Sequence, residues 1–489
     1  MDSLLSYRLS VLFYHTYALN GIFIYIYLFI RATVTDYHAS RTEGGLVRMR
    51  PCGTSRDPVD RECRSGGGRV PVETVGGARF LTVERQNPVM DGESPADVHS
   101  EQFGVKHIRR IYREGMFEDR SPEFPVSFSE LREEAFERMS WQAKAYVHGG
   151  AGTDETFERN KDFSQWRIVP RMLRGVADRD LSTDLLGSTH DYPLMVTPLG
   201  VQSLLHEEGE LATARACAQL DVPFVLSSLS STPMEAVADA LGDTPKWFQY
   251  YWAADDDVAR SFLRRAEAAG YDAIVVTVDA PTLGWRDRLL RKGYYPFLEG
   301  EGVANYFSDP AFRDSLAEPP EENPEAAVDR FLSIFGDASL TWEDLAFVRE
   351  QTDLPIVIKG VLHPEDARLA VEAGADAVQV STHGGRQVDG SIAAIEALPG
   401  VADAVGDEAT VLFDSGIRRG SHAFKALALG ADTVMLGRPF AYGLAHSGRA
   451  GVEHVLENTI SQIDLTMGLA GIDDVDDIDR AAVRDAVSL

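Results

Sequence analysis

The residues best suited to chemistry lie in Ser381-Thr382-His383-Gly384-Gly385-Arg386-Gln387. A histidine exchanges a proton near neutral pH, and an arginine grips a carboxylate by paired hydrogen bonds. Tyr251 and Arg286 are further candidates to hold a small anion beside them. A second kind of site is written in two glycine turns, Asp414-Ser415-Gly416 followed by Arg418, and Gly437-Arg438. Backbone N–H groups freed by glycine, with a guanidinium nearby, make a seat for phosphate. Pro198-Leu199-Gly200, Ser227, Gln249, Thr277, Asp279 and Lys359 complete the set of polar or glycine-containing positions. Any one of them has an ordinary structural explanation; their shared placement carries the weight.

That placement follows from the elements around them. Eight short apolar runs, at 194–198, 224–228, 246–252, 273–279, 355–360, 377–381, 410–414 and 433–437, are β-branched or aromatic and bounded by turn residues. Such runs read as buried parallel strands. Between them lie Ala-rich amphipathic stretches such as 208–220, 255–270, 363–374 and 420–430, several of which stop at Gly. Eight alternating units without a second domain favour a closed (β/α)8 barrel of the TIM type over an open doubly wound sheet. Every candidate above then falls at or just beyond the C-terminal end of a strand, where barrels gather their reactive groups. The turns after the seventh and eighth strands are those where such barrels hold phosphate, so a phosphorylated cofactor is expected. One connection is too long: about 282–352, holding YYPFLEGEGVANYFSDP, is an insertion after the fourth strand and reads as a lid or binding element. Residues 129–147 read as one helix packed outside the barrel, leading into it.

Composition narrows the class further. The 489 residues carry a formal net charge of −29, which repels nucleic-acid backbones. Three cysteines in no metal-like spacing fit a reduced, cytosolic protein without disulfides or bound metal. The charge is uneven. Residues 1–89 contain 11 Arg, no Lys and 8 acids, whereas residues 90–489 hold the whole acidic excess. The uncharged run 9–30 has 22 residues, enough to span a bilayer as a helix, and Arg/Gly/Pro-rich sequence without period follows it. The loss of Lys and the change of sign favour an extension outside the working protein over a membrane anchor on a flexible tether.

STHGGRQVD together with VTVDAPTLGWRD, VIKG, WFQYYW and LFDSGIRRG resembles the FMN-dependent α-hydroxy acid oxidase and dehydrogenase family, from about Phe103 to the C-terminus. Within it, TPLGV with Gly200, YVHGGAG, GDTPKWFQYYW, GWRDR, YYPFL, ANYFSDP and SLTWED are most similar to the lactate 2-monooxygenase branch. The resemblance implies FMN as cofactor, a 2-hydroxy acid and O2 as reactants, and a homotetramer or homo-octamer. It implies that Pro198, Leu199 and Gly200 face the flavin N5 edge, Gly200 leaving space there. Ser227, Gln249 and Thr277 would bond the pyrimidine portion, and Lys359 would sit near N1. Asp414, Ser415, Gly416, Arg418, Gly437 and Arg438 would hold ribityl and phosphate. Tyr146, Tyr251, Arg286 and Arg386 would grip the hydroxy acid. His383 would be the catalytic base, with Asp279 bonded to it. Thr382 stands where the family usually has Asn, which puts a minor supporting contact in question, and His148 reads as a loop variant at the surface. Outcomes left open are acetate and CO2 from trapped pyruvate, release of pyruvate with H2O2, or electron transfer to a quinone. A flavin-dependent isoprenoid diphosphate isomerase fits less well, because His383, Arg386 and Arg286 suit a small carboxylate.

Overall fold

The computed structural model describes residues 102–486 and, before them, three short antiparallel strand pairs. It divides into two units, Met1–Ser100 and Glu101–Leu489. In the first, the longest pairing joins Val72–Val75 to Ala78–Leu81. The remainder of residues 1–89, including most of the 9–30 run, lies outside the described residues. Among the described residues no helix is long and apolar enough to cross a membrane.

The second unit is built on a closed eight-stranded parallel barrel. Its strands are β1 (Leu194–Val196), β2 (Phe224–Ser227), β3 (Lys246–Tyr250), β4 (Ala273–Thr277), β5 (Ile356–Val361), β6 (Ala377–Val380), β7 (Thr410–Phe413) and β8 (Thr433–Leu436). Each pairs with the next, and β1 closes on β8 with Leu194, Met195 and Val196 opposite Val434, Met435 and Leu436. All eight runs expected as strands are strands, in sequence order. All but β5 end short of their runs, so Tyr251, Asp279 and Asp414 stand just past a strand.

Side chains alternate along a strand, and this sorts the barrel into layers. Met195, Val225, Trp247, Val275, Val357, Ala377, Leu412 and Met435 form one dry interior cluster. The hairpin Thr183–Leu185 with Ser188–His190 contributes Leu185 to the same cluster. Outward-facing residues pack on the helices in a larger cluster. The helix Asp256–Ala268 shows why these segments are helical: Asp255 Oδ1 accepts from the N–H groups of Asp257 and Val258, and an apolar stripe including Val258, Phe262 and Ala266 is buried.

The leading segment departs from expectation. Instead of one helix over 129–147 there are two, Phe128–Arg138 and Trp141–Val147, because Met139 and Ser140 adopt extended backbone. Ser140 caps the second helix by accepting from Ala143 N–H at 3.1 Å, a role that serine takes more readily than a helix interior. The break turns the chain so that Tyr146 and Val147 reach the mouth of the barrel. The insertion is helical rather than loose, with Pro324–Ile334 and Leu345–Gln351 as its longest helices.

Candidate active site

Two positions above the dry layer, the same alternation presents Thr197, Ser227, Gln249, Thr277, Lys359, Gln379, Asp414 and Gly437. All but Gln379 line one cavity at the C-terminal mouth, whose empty space, open solvent at the mouth included, is about 1260 Å3. Its floor is a hydrogen-bonded ring. Ser227 Oγ donates to Gln249 Oε1 at 2.9 Å, and Gln249 Nε2 donates to Thr277 Oγ1 at 3.0 Å. Across the barrel, Thr197 Oγ1 and Gln379 Nε2 donate to Asp414 Oδ2 at 2.9 and 2.7 Å. Gln379 Oε1 is buried without a partner. Thr197 and Gln379 were missed in the sequence, although each stands two residues beyond an interior apolar residue, which is the signal that finds them.

His383 sits in the left-handed region at φ 56°, a conformation that costs a non-glycine residue about 1–3 kcal/mol and persists only where its surroundings fix it. The fixing groups are hydroxyls. His383 N–H donates to Ser381 Oγ at 3.0 Å, while Thr382 and Gly384 N–H donate to Ser415 Oγ at 3.1 and 3.0 Å. His383 Nδ1 lies 2.7 Å from Asp279 Oδ1, which assigns the proton to Nδ1 and leaves Nε2 as the basic nitrogen, 3.3 Å from the Tyr251 hydroxyl. Lys359 Nζ is 3.2 Å from Ser381 Oγ and 3.6 Å from Asp279 Oδ2. Burial, only partly opposed by Asp279, lowers the His383 pKa and keeps the ring neutral at neutral pH. Burial alone would raise the Asp279 carboxyl, but Lys359 and His383 outweigh it and hold the group ionised.

Arg286 and Arg386 face this base. Arg386 donates to the Tyr146 carbonyl oxygen and lies 5.0 Å from the centre of that ring. Arg286 donates to Gln387 Oε1 at 2.9 Å and to the Arg386 carbonyl at 3.3 Å. Among the described residues neither guanidinium is ion-paired, and burial followed by Arg286 depresses the Arg386 pKa. Two half-buried guanidiniums that line one cavity without a carboxylate partner among the described residues suit an anion.

The phosphate residues divide. Arg418 is half-buried; desolvation and then Arg438 push its pKa down to about 10, and no carboxylate is in ion-pair range among the described residues. Arg438 instead donates to the carbonyls of Val147, Gly149 and Gly384 at 2.9, 2.8 and 3.0 Å, so its guanidinium fixes the turn after Tyr146. Gly416 has φ 128°, and a Cβ there would lie 1.9 Å from the Asn160 carbonyl oxygen, so only glycine fits this turn.

Three expectations need correction or completion. A Cβ on Gly200 would come 2.8 Å from the Leu229 carbonyl oxygen and 3.0 Å from Leu229 Cβ. Leu229 therefore fills the space expected to be open there. His148 is no surface variant: Nδ1 lies 2.8 Å from the Tyr442 hydroxyl, and the ring meets Phe136 and Phe157 edge-on at 4.7 and 5.4 Å. Its pKa is pushed down to about 4, by burial first and Arg438 next, so it is a neutral packing group behind the phosphate turn. At Thr382, Oγ1 accepts from Asn160 Nδ2 at 2.7 Å, so an amide from elsewhere in the chain reaches the position where the family's Asn is missing. The structure also adds Tyr295, Phe297 and Phe335 from the insertion to the lining.

A polar floor of Ser227, Gln249 and Thr277, a lysine beside a histidine–carboxylate pair, and an arginine at a glycine turn with no carboxylate in range among the described residues fit a flavin mononucleotide. A base flanked by two free guanidiniums fits a small organic acid. These features define a flavin-dependent (β/α)8 enzyme. Residues 135–485 match the model of the FMN-dependent dehydrogenase family, and the chain belongs to that family. It is 42% identical over 379 residues to an FMN-dependent alpha-hydroxy acid dehydrogenase of Penicillium citrinum, covering 77% of this chain and 94% of the relative. It is also 42% identical over 349 residues to an L-lactate oxidase of Lysinibacillus sphaericus, covering 71% and 90%. A crystal structure of mandelate oxidase superposes with a TM-score of 0.66 at 37% identity, over 74% of this chain and 98% of that one. The enzyme is an FMN-dependent 2-hydroxy acid oxidoreductase.

Proposed function

We propose that the substrate is L-lactate and that O2 converts it to acetate, CO2 and water, with pyruvate held at the site until peroxide decarboxylates it. FMN, when bound, supplies the two-electron acceptor and the reaction with oxygen. The protein's own groups do the rest. Arg286 and Arg386 hold the carboxylate, and the Tyr251 hydroxyl orients the substrate oxygen. His383 Nε2 takes the hydroxyl proton, and Asp279, 2.7 Å from Nδ1, stabilises the imidazolium that results. Lys359 places a cation where reduced cofactor gathers negative charge.

The observation that carries the retention of pyruvate is the insertion, which supplies Pro281, Leu283, Tyr295, Phe297 and Phe335, with the segment leading into it, to the cavity wall. A cavity roofed by its own chain slows departure of product. A second reading, release of pyruvate and H2O2, is favoured by the two relatives named L-lactate oxidase, at 42% and 39% identity. The products of L-lactate in air decide between them. Acetate and CO2 with little free peroxide are expected. Stoichiometric pyruvate and H2O2 would make the enzyme an oxidase, and dye reduction without oxygen uptake would make it a dehydrogenase.

A further inference from the structure

The reacting carbon of a 2-hydroxy acid carries four groups, and on the reading above three have destinations. The carboxylate goes to Arg286 and Arg386, the hydroxyl to His383 and Tyr251, and the hydrogen to the cofactor. The fourth group, the substrate's side chain, must face what remains of the lining. The largest apolar part of that remainder comes from the insertion and its approach: Pro281, Leu283, Tyr295, Phe297 and Phe335.

The aromatic members form a continuous wall with the substrate-facing tyrosine. Tyr251 meets Phe335 with centroids 5.4 Å apart at 66°, Phe335 meets Phe297 at 6.4 Å, and Phe297 meets Tyr295 at 4.8 Å and 74°. Phe297 is in turn backed by Phe331 at 5.6 Å. The wall is fastened by backbone. Ala254 N–H donates to the Ile334 carbonyl at 2.8 Å and Gly336 N–H to the Trp252 carbonyl at 2.9 Å, so Phe335 is stitched to the residues that directly follow Tyr251. At its other end, Ala304 N–H donates to the Ser230 carbonyl at 3.1 Å. Fully buried Asn305 donates to the Ser228 carbonyl at 3.1 Å and accepts from Met234 N–H at 2.8 Å. Displacing the wall means breaking buried hydrogen bonds at both ends.

We infer that Phe335, backed by Phe297, determines specificity by closing the side-chain end of the site, restricting the enzyme to 2-hydroxy acids with short apolar side chains and excluding aryl ones. The inference rests on the proposed reading of the site. Because mandelate oxidase shares the fold, the discriminating feature has to be sought in the lining and not in the barrel.

The test uses full-length, FMN-loaded protein. Anaerobic bleaching of the flavin's visible absorbance gives kcat/KM-type constants for L-lactate, L-2-hydroxyhexanoate and L-mandelate in wild type, Phe335→Ala and Phe335→Leu. Perturbation of the oxidised spectrum gives Kd for pyruvate and benzoylformate. Wild type should favour lactate and pyruvate over their aryl counterparts. Phe335→Ala should move the hexanoate-to-lactate ratio by about 10- to 200-fold, the worth of a methylene-scale change in an apolar pocket, and Phe335→Leu by less. Phe335 is only half-buried and lies at a helix C-terminus. Should Phe335→Ala not hold FMN, the Phe335→Leu ratio decides alone. Wild type preferring mandelate, or unchanged ratios in the variant read, would overturn the inference while leaving the hydroxy-acid reading intact. Bleaching of wild type by none of the three acids would overturn that reading, and this inference with it.

Discussion

Substituting Gln387 by Met removes one amide while keeping the length of the side chain, and that amide joins the two loops that build the site. Its Nε2 donates to the carbonyls of Asp279 and Thr282, each at 3.0 Å. Its Oε1 accepts from Gly284 N–H at 3.3 Å and from Arg286 Nη2 at 2.9 Å. The last of these is charge-assisted and is worth about 1.5–3 kcal/mol, whereas water can replace the partly exposed others. With Oε1 gone, Arg286 keeps only the longer bond to the Arg386 carbonyl and loses its fixed spacing from Arg386. Substrate affinity should therefore fall by about 10- to 100-fold, each factor of ten being about 1.4 kcal/mol. The limiting rate of flavin reduction should change little, because His383 and Asp279 keep their mutual bond. Gln387→Glu would pair Arg286 with a carboxylate and set that charge against the Asp279 and Thr282 carbonyls, so it should not restore the affinity. Anaerobic stopped-flow titration with L-lactate separates the two quantities. An unchanged Kd in Gln387→Met, or a loss confined to the limiting rate, would refute this account of Arg286.

His383→Gln should keep FMN bound and slow flavin reduction by about 10²–10⁴-fold, the usual worth of a positioned base; near-normal anaerobic reduction would mean another base. Because burial lowers the His383 pKa, the neutral base persists through neutrality, so the reduction rate at saturating substrate should be flat through neutral pH and fall toward acid as the ring protonates. A rate that rises on the acid side would contradict that sign. Arg418→Ala should weaken FMN binding to the apoprotein by about 10- to 100-fold, the worth of one charge-assisted phosphate contact, read from quenching of flavin fluorescence; unchanged affinity would move the phosphate elsewhere.

How much of this was legible in the sequence follows from how local each signal is. Strands announce themselves by short apolar runs, and the barrel's layering converts their spacing into the floor of the site, so Ser227, Gln249, Thr277 and Lys359 could be named from their places on the strands. The same period points to Thr197 and Gln379, which lack an eye-catching motif. What could not be read is contact between distant segments. Gly200 looked like open space because the Leu229 carbonyl that occupies it belongs to another loop. His148 looked peripheral because Tyr442, Phe136 and Phe157 come from three separate elements. Ser140 breaks the leading helix by a capping preference that the amphipathic pattern overrode. Phe335 lies more than fifty residues beyond β4 in sequence, and only the pairing of Ile334 and Gly336 with 252–254 brings it to the site.

The insertion is anchored unevenly, and the unevenness bears on how product leaves. Residues 304–336 are tied to the barrel by backbone bonds and by Asn305. The short segment before them is held differently. Helix Asp287–Leu290 is clamped by Arg288 to Asp154, an ion pair with 42% and 17% of the two side chains exposed. Gln387, the close packing of Gly284 against the Arg386 and Gln387 backbone, and a backbone bond from Gly152 N–H to the Trp285 carbonyl at 2.8 Å add to its hold. The Arg288–Asp154 pair is bidentate, at 2.8 and 2.5 Å, but its arginine is open to solvent, so salt screens it more than the buried anchors of the wall. This hold, made largely by side chains, falls on the segment that carries Arg286, one of the two groups proposed above to grip the carboxylate. Opening there would loosen the carboxylate and clear its exit in one movement, while the wall of Phe297 and Phe335 stays fixed. On the proposed reading, retention of pyruvate would then depend on the charge pair between Arg286 and the product at least as much as on the length of the insertion.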